Sequence, residues 1–117
     1  MSDRDPGDLD FCYLTTTGRR TGVPHRIEIW FALRDGTVYL LSGGGDRSDW
    51  VRNLIVSPDV VVEIGVRTRA THGRIVSDPD EDALARRTLL EKYQPRSGGD
   101  LGEWGRTAMP VAIAWTG

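Results

Sequence analysis

The clearest pattern in the chain is the alternation from His25 to Leu33, where Ile27, Ile29, Phe31 and Leu33 share one face and Arg26, Glu28, Trp30 and Ala32 the other. A period of two marks a half-buried strand, because successive side chains leave opposite faces of a pleated backbone. Other segments read the same way. Phe11 to Thr17 is rich in aromatic and β-branched residues, and Thr37 to Ser42 returns from a hairpin turn at Arg34, Asp35 and Gly36. Val60 to Val66 and Arg69 to Val76 form a second pair, the first nearly all β-branched and expected to be buried. Met109 to Thr116 closes the chain with Met109, Val111, Ile113 and Trp115 on one side. Between strands the period changes. Gly18 to Pro24 breaks the first strand, since glycines with a following proline do not continue a ladder. Gly43 to Gly45 end the strand at Ser42, after which Asp46 or Ser48 can cap a short helix to about Val56, with Trp50, Val51 and Leu54 facing inward. Asp78 and Pro79, followed by acids at 80 to 82, predict a longer helix to about Tyr93, with Ala85, Leu89 and Tyr93 at four-residue steps. Gln94 to Gly99 reads as a loop.

Six strands with hairpin-like connections, interrupted by one short and one longer helix, predict an antiparallel sheet closed into a small barrel with helices packed outside. Regular βαβ alternation is missing, which argues against a doubly wound parallel sheet. At 117 residues the chain suits one domain, here residues 11–117, preceded by an acidic flexible tail over residues 1–10. No stretch approaches the roughly 18 apolar residues of a membrane span, and the start MSDRDPGDLD is acidic where a leader would be basic and apolar. A soluble cytoplasmic protein without stable membrane insertion is expected. Cys12, the single cysteine, excludes an internal disulfide and reads as a small buried hydrophobe. With His25 and His72 it offers no metal-ligand spacing, so no metal is expected.

Charge sharpens this picture. Of 15 basic residues, 14 are arginine and only Lys92 is lysine. Residues 11–77 hold nine bases and six acids, while the segments on either side are net acidic and the whole chain is −2. That balance, with no long basic run, argues against nucleic-acid binding. Arginines remain planar forks able to grip a phosphate or carboxylate in two places. Arg19 and Arg20, between Gly18 and Gly22, stand in such a position, although a solvated turn would read the same way. Ser42, Gly43, Gly44 and Gly45 at a strand-to-helix junction let a flat molecule approach the backbone, or serve as a connector. Asp46 and Asp49 already occupy the positive end of the helix, so a ring carbonyl suits that place better than a phosphate. Trp50 and Asn53, three apart on the short helix, share a face that either walls a pocket or packs the core. His72 has no orienting group and no serine sits in a nucleophile elbow.

Taken in order, Leu14-Thr-Thr-Thr-Gly-Arg-Arg-Thr-Gly22, the Asp35-Gly36 turn, Ser42-Gly43-Gly44 and Trp50-Val-Arg-Asn-Leu54 before Ser57 and Pro58 resemble the deazaflavin-dependent nitroreductase and F420H2-dependent quinone reductase family of actinobacteria. The resemblance is good over roughly residues 11–77 and continues weakly to Arg106–Val111. It implies a split β-barrel related to the pyridoxamine-phosphate-oxidase-like flavin proteins. It also implies an oxidoreductase that passes a hydride from reduced coenzyme F420 to an electron-poor small molecule such as a quinone, nitro compound or activated enone. By the same resemblance Arg19, Arg20, Thr21 and Gly22 hold the cofactor's phosphate and acidic tail, Ser42, Gly43 and Gly44 border the ring, and Trp50 and Asn53 flank it. Ser42 and a bound water are the candidate proton donors. Glu28, Trp30 and Trp104 fall on the substrate side, with Tyr93 a further contributor. Better-known nitroreductase members carry lysine at Gly43, arginine at His25 and proline at Glu28, so this chain's site is less basic. FMN is the alternative cofactor, a non-catalytic carrier of F420 or another planar ligand the alternative role, and a homodimer the expected assembly by analogy.

Overall fold

The structure, a computed structural model that describes residues 6–115, is a curled antiparallel sheet of seven strands. In chain order these are β1 (Cys12–Thr17), β2 (Pro24–Ile29), β3 (Ala32–Arg34), β4 (Thr37–Ser42), β5 (Asp59–Ile64), β6 (Arg67–Ile75) and β7 (Met109–Ala114), with helices α1 (Asp49–Val56), α2 (Pro79–Tyr93) and α3 (Gly102–Thr107). The strand order is β2-β1-β5-β6-β7-β4-β3.

The alternating run His25–Leu33 makes two strands, where the pattern predicts one. At Phe31 the groups that would continue the ladder are taken by the last turn of α2. The Phe31 N–H donates to the Tyr93 hydroxyl (2.9 Å), and its carbonyl accepts from Lys92 Nζ (2.8 Å). The alternation itself survives the break: Ile27, Ile29, Phe31 and Leu33 face the barrel interior, and Trp30 and Ala32 face a second cluster outside. Since β2 and β3 stand at opposite ends of the strand order, the Trp30–Phe31 link brings the two sheet edges together. On the other side β6 carries the chain across the fold, pairing with β5 up to His72 and with β7 from Gly73. A Cβ at Gly73 would lie 2.8 Å from Leu54 Cδ1 and 3.3 Å from Ile113 Cδ1, so any side chain at the crossing would displace these two core methyl groups.

Leu14, Phe31, Leu40, Val62 and Ile113 fill the interior together with Val51 and Leu54 of α1. Burying each such side chain contributes roughly 1.5–3 kcal/mol relative to exposure. Thus α1 plugs the barrel, whereas the pattern predicts both helices outside. α2 is the outer helix, laying Ala85, Leu89 and Tyr93 on Tyr39, Leu41 and Ala112. Its start matches the predicted cap, Asp78 Oδ2 accepting from the Glu81 N–H at 3.0 Å. Glu81 is clasped by Arg74 (2.6 and 2.8 Å) and the Tyr39 hydroxyl (2.8 Å), and the guanidinium holds its carboxyl below the ordinary range.

Residues 6–10, expected as flexible tail, are docked in this structure. Leu9 packs on the interior cluster and Asp10 pairs with Arg96 at 2.6 Å. Residues 1–5, and Thr116 at the end of the predicted last strand, lie outside the described residues. Val66 is fully exposed in the β5–β6 turn, where the pattern extends the strand. The Gln94–Gly99 loop begins with a 3-10 turn and leads into α3, a helix too short to show a period. Cys12 is buried as expected, and burial pushes its thiol up to about 12.

Candidate functional site

Two clefts open along β2. Ile27 lines one and Ile29 the other, two positions apart on the same face, which separates them by roughly 7 Å of strand.

The first, of about 410 Å³, lies between the Gly18–Gly22 turn and α1. The turn closes on itself: Gly18 N–H donates to the Val23 carbonyl, and Gly22 N–H donates to the Gly18 carbonyl, both at 2.8 Å. Asn53, buried at 3% exposure, is its hub. Asn53 Oδ1 accepts from the Arg19 backbone N–H (3.1 Å) and from Arg19 Nη1 (2.9 Å), while its Nδ2 donates to Thr16 Oγ1 (3.2 Å). Arg19 Nη2 also reaches Asp49 Oδ1 at 3.2 Å. Both terminal nitrogens of the Arg19 fork are therefore held by the protein's own acceptors, pinning turn to helix. Arg20 is exposed on the same cleft and makes no hydrogen bond or ion pair with the described residues. Trp50 supplies a half-buried aromatic wall, with Thr21 and His25 at the rim.

The second cleft, of about 520 Å³, is aromatic. Trp30 stacks on Tyr93 with ring centroids 4.3 Å apart and planes 3° from parallel, and Trp104 meets Trp30 edge-on at 5.5 Å and 87°. Phe11, Leu41 and Leu101 complete the walls. Glu28 accepts the Tyr13 hydroxyl at 3.0 Å, which holds Tyr13 above its ordinary pKa. The neighbouring Arg26 directs its Nε and Nη2 at Glu63 (2.9 and 3.3 Å) and lies 3.9 Å over the Tyr13 ring.

Of the residues predicted to hold a cofactor, Arg19, Arg20, Thr21, Trp50 and Asn53 gather in the first cleft. Glu28, Trp30 and Trp104, predicted for the substrate side, gather in the second. Gly22, Ser42, Gly43 and Gly44 line neither. Gly43 is next to the aromatic cleft, since a Cβ there would lie 3.8 Å from Trp104 Cδ1. Ser42 is 2% exposed and its hydroxyl faces its own loop, donating to the Gly45 carbonyl (2.9 Å) and lying 2.8 Å from Ser48 Oγ. A proton donor at Ser42 does not follow from that geometry: the hydroxyl locks the glycine loop. Ser48 sits at the helix N-cap position but makes no side-chain cap. Tyr93 stands behind Trp30 and is not a lining residue. Thr16, Phe11, Leu41 and Leu101 are lining residues that the sequence did not single out. Thr16 had a signal, a polar residue at an inward position of β1; Leu101 had none.

A curled sheet whose edges are joined through one short link defines a split β-barrel. The chain belongs to the F420H(2)-dependent quinone reductase family, whose sequence model matches residues 6–113. It is 35% identical over 86 residues to the F420H(2)-dependent quinone reductase of Mycobacterium tuberculosis strains CDC 1551 and H37Rv, an alignment covering 70% of this chain and 57% of that relative. The chain thus spans little more than half of that relative's length. The fold is shared with a solved F420-H2 dependent reductase, FDR-A, at TM-score 0.69 and 21% identity over 90% of this chain and 93% of that one. It also recurs in a Listeria innocua protein assigned as a pyridoxamine 5′-phosphate oxidase, at TM-score 0.68 and 16% identity over 93% and 86% of the two chains. Among the described residues no helix is long and apolar enough to cross a membrane.

Proposed function

We propose that the protein is an F420-dependent oxidoreductase that reduces an electron-poor small molecule, a quinone, nitro compound or activated enone, in the cytoplasm. Family membership supports the cofactor class, and the observation that carries its placement is Arg20, an open guanidinium at the rim of a cleft with a tryptophan wall. Such a fork suits the phosphate and carboxylates of the F420 tail, each charge-assisted contact being worth about 1.5–3 kcal/mol. Arg19 serves indirectly, holding the turn so that Arg20 and Thr21 face the cleft. The volume falls in the usual range of roughly 300–1,000 Å³ for small-molecule sites, and the residues present fit one part of a long cofactor, leaving the rest along the open rim. When bound, F420 would supply the hydride; the chain would bind the tail at Arg20, orient the ring beside Trp50 and hold the acceptor against Trp30 and Trp104 in the aromatic cleft.

Titration with F420 and with FMN, followed by tryptophan fluorescence, tests this. Saturable quenching by F420 is expected, with Arg20→Ala weakening it by about tenfold or more and leaving the melting temperature unchanged. Quenching by FMN alone overturns the cofactor, and bound F420 that no quinone or nitroarene oxidises makes the protein a carrier. A homodimer belongs to this reading by analogy with related barrels, and a monomeric mass in solution removes it.

A further inference from the structure

The second cleft is walled by carbon and aromatic rings, and among the described residues Glu28 is its one charged lining residue. Stacking on Tyr93 fixes the plane of Trp30, and Trp104 stands at a right angle to it, so the walls are set before any ligand arrives. An aromatic face carries partial negative charge and attracts a cation. Glu28 adds a full negative charge at the same mouth. Its partner among the described residues, the Tyr13 hydroxyl, is a neutral donor, which leaves that charge in place. Arg26 nearby does not cancel it, because its single charge is set against two carboxylates, Glu63 and Glu28, and it does not line the cleft.

We propose that this cleft selects its ligand by charge. It takes a small flat aromatic molecule that is cationic, or that presents an N–H or O–H donor at one edge, and disfavours the anionic isostere, with Glu28 as the specificity-determining residue. Naming the occupant as the hydride acceptor rests on the function proposed above, and narrows that acceptor to a quinone, nitro compound or enone whose ring also carries a cationic group or an N–H or O–H donor; the charge preference does not rest on it. The selection is opposite in sign to that of the first cleft, where Arg20 favours an anion, so an anionic tail and a cationic or neutral ring sort themselves between the two.

Calorimetric titration of the full chain with three rings of matched size tests this: 1-methylquinolinium as cation, quinoline at pH 8 as neutral ring, 1-naphthoate as anion. At low salt the cation is expected to bind roughly tenfold more tightly than the anion, and the gap to narrow as salt is raised. Glu28→Gln is expected to bring the gap below about threefold with quinoline affinity unchanged, the carboxylate being the source of the preference. Tyr13→Phe, which keeps the carboxylate, is expected to preserve it. Equal binding of cation and anion, a gap that survives Glu28→Gln, or no binding of any ring overturns the proposal. If Glu28→Gln does not fold, a salt-independent gap in the unaltered chain overturns it equally. F420 titration of the same sample separates the two readings. F420 binding without a charge preference removes this inference alone, and a charge preference without F420 binding removes the cofactor reading alone.

Discussion

The two clefts share a strand and are held open by opposite means. The first depends on one polar hub: Asn53 joins β1, the arginine turn and α1 through three hydrogen bonds in a buried place. The second depends on ring packing, Tyr93 behind Trp30 and Trp104 across its edge, with no single bond whose loss would collapse it. A buried polar hub fails abruptly, since removing one member leaves its partners desolvated and unpaired, whereas packed rings yield by degrees.

The largest effect expected from that contrast is Asn53→Ala. It leaves the Arg19 N–H and Thr16 Oγ1 without their partner and is expected to lower stability by about 2–3 kcal/mol in urea unfolding. F420 affinity should fall with it, while binding of a cationic ring at the Glu28 cleft persists in the folded fraction. Loss of both ligands together would show that the clefts are one unit.

Gly105→Ala probes the aromatic side. A Cβ there would come within 2.8 Å of Leu90 Cγ, at the contact between α3 and α2. A cost of about 1–3 kcal/mol is expected as α3 moves away and carries Trp104 with it. Near-ultraviolet circular dichroism should change, and F420 affinity should not.

The smallest effect concerns Lys92, whose half-buried ammonium lies 3.7 Å over the Phe31 ring and is pushed down to about 8 by burial, with Arg96 adding to the shift and Cys12, Asp10 and Asp8 opposing it. Its folded pKa is below the unfolded value, so the unfolded chain binds more protons between about pH 8 and 10.5, and stability from this group rises with pH across that window. Lys92→Met should remove the rise. Because half of the side chain is solvated, the difference between the two proteins' pH profiles is expected to stay below about 1 kcal/mol. Identical slopes would mean that the aromatic side does not depend on this ammonium. The comparison with Lys92→Met is needed because Cys12 and Tyr93, both pushed up to about 12 by burial from ordinary values of 9.0 and 10.0, act in the opposite direction starting inside the same window.

Much of this was legible in the chain, and unevenly so. The inward positions of the strands, the Asp78 cap and the Ala85–Leu89–Tyr93 stripe follow from local period and capping chemistry, which do not depend on distant residues. The division of His25–Leu33 does, because its cause is a tyrosine and a lysine some 60 positions away, with separations of 62 and 61 residues. The first cleft was readable because two contiguous motifs build most of it. The second was only partly so, drawing Phe11, Glu28, Leu41 and Trp104 from four distant places.

By itself the sequence determined which side of each strand is buried, where α2 begins, the family, and that the chain's positive charge is almost all guanidinium. The tertiary structure decided what those charges are free to do. Arg19 and Arg20 are adjacent and chemically identical, yet one is held by Asn53 and Asp49 and the other faces solvent. A hydrogen-bonding group serves a ligand only if no internal partner has claimed it, and those partners, 30 and 34 residues along the chain, meet Arg19 only once the barrel has closed on α1.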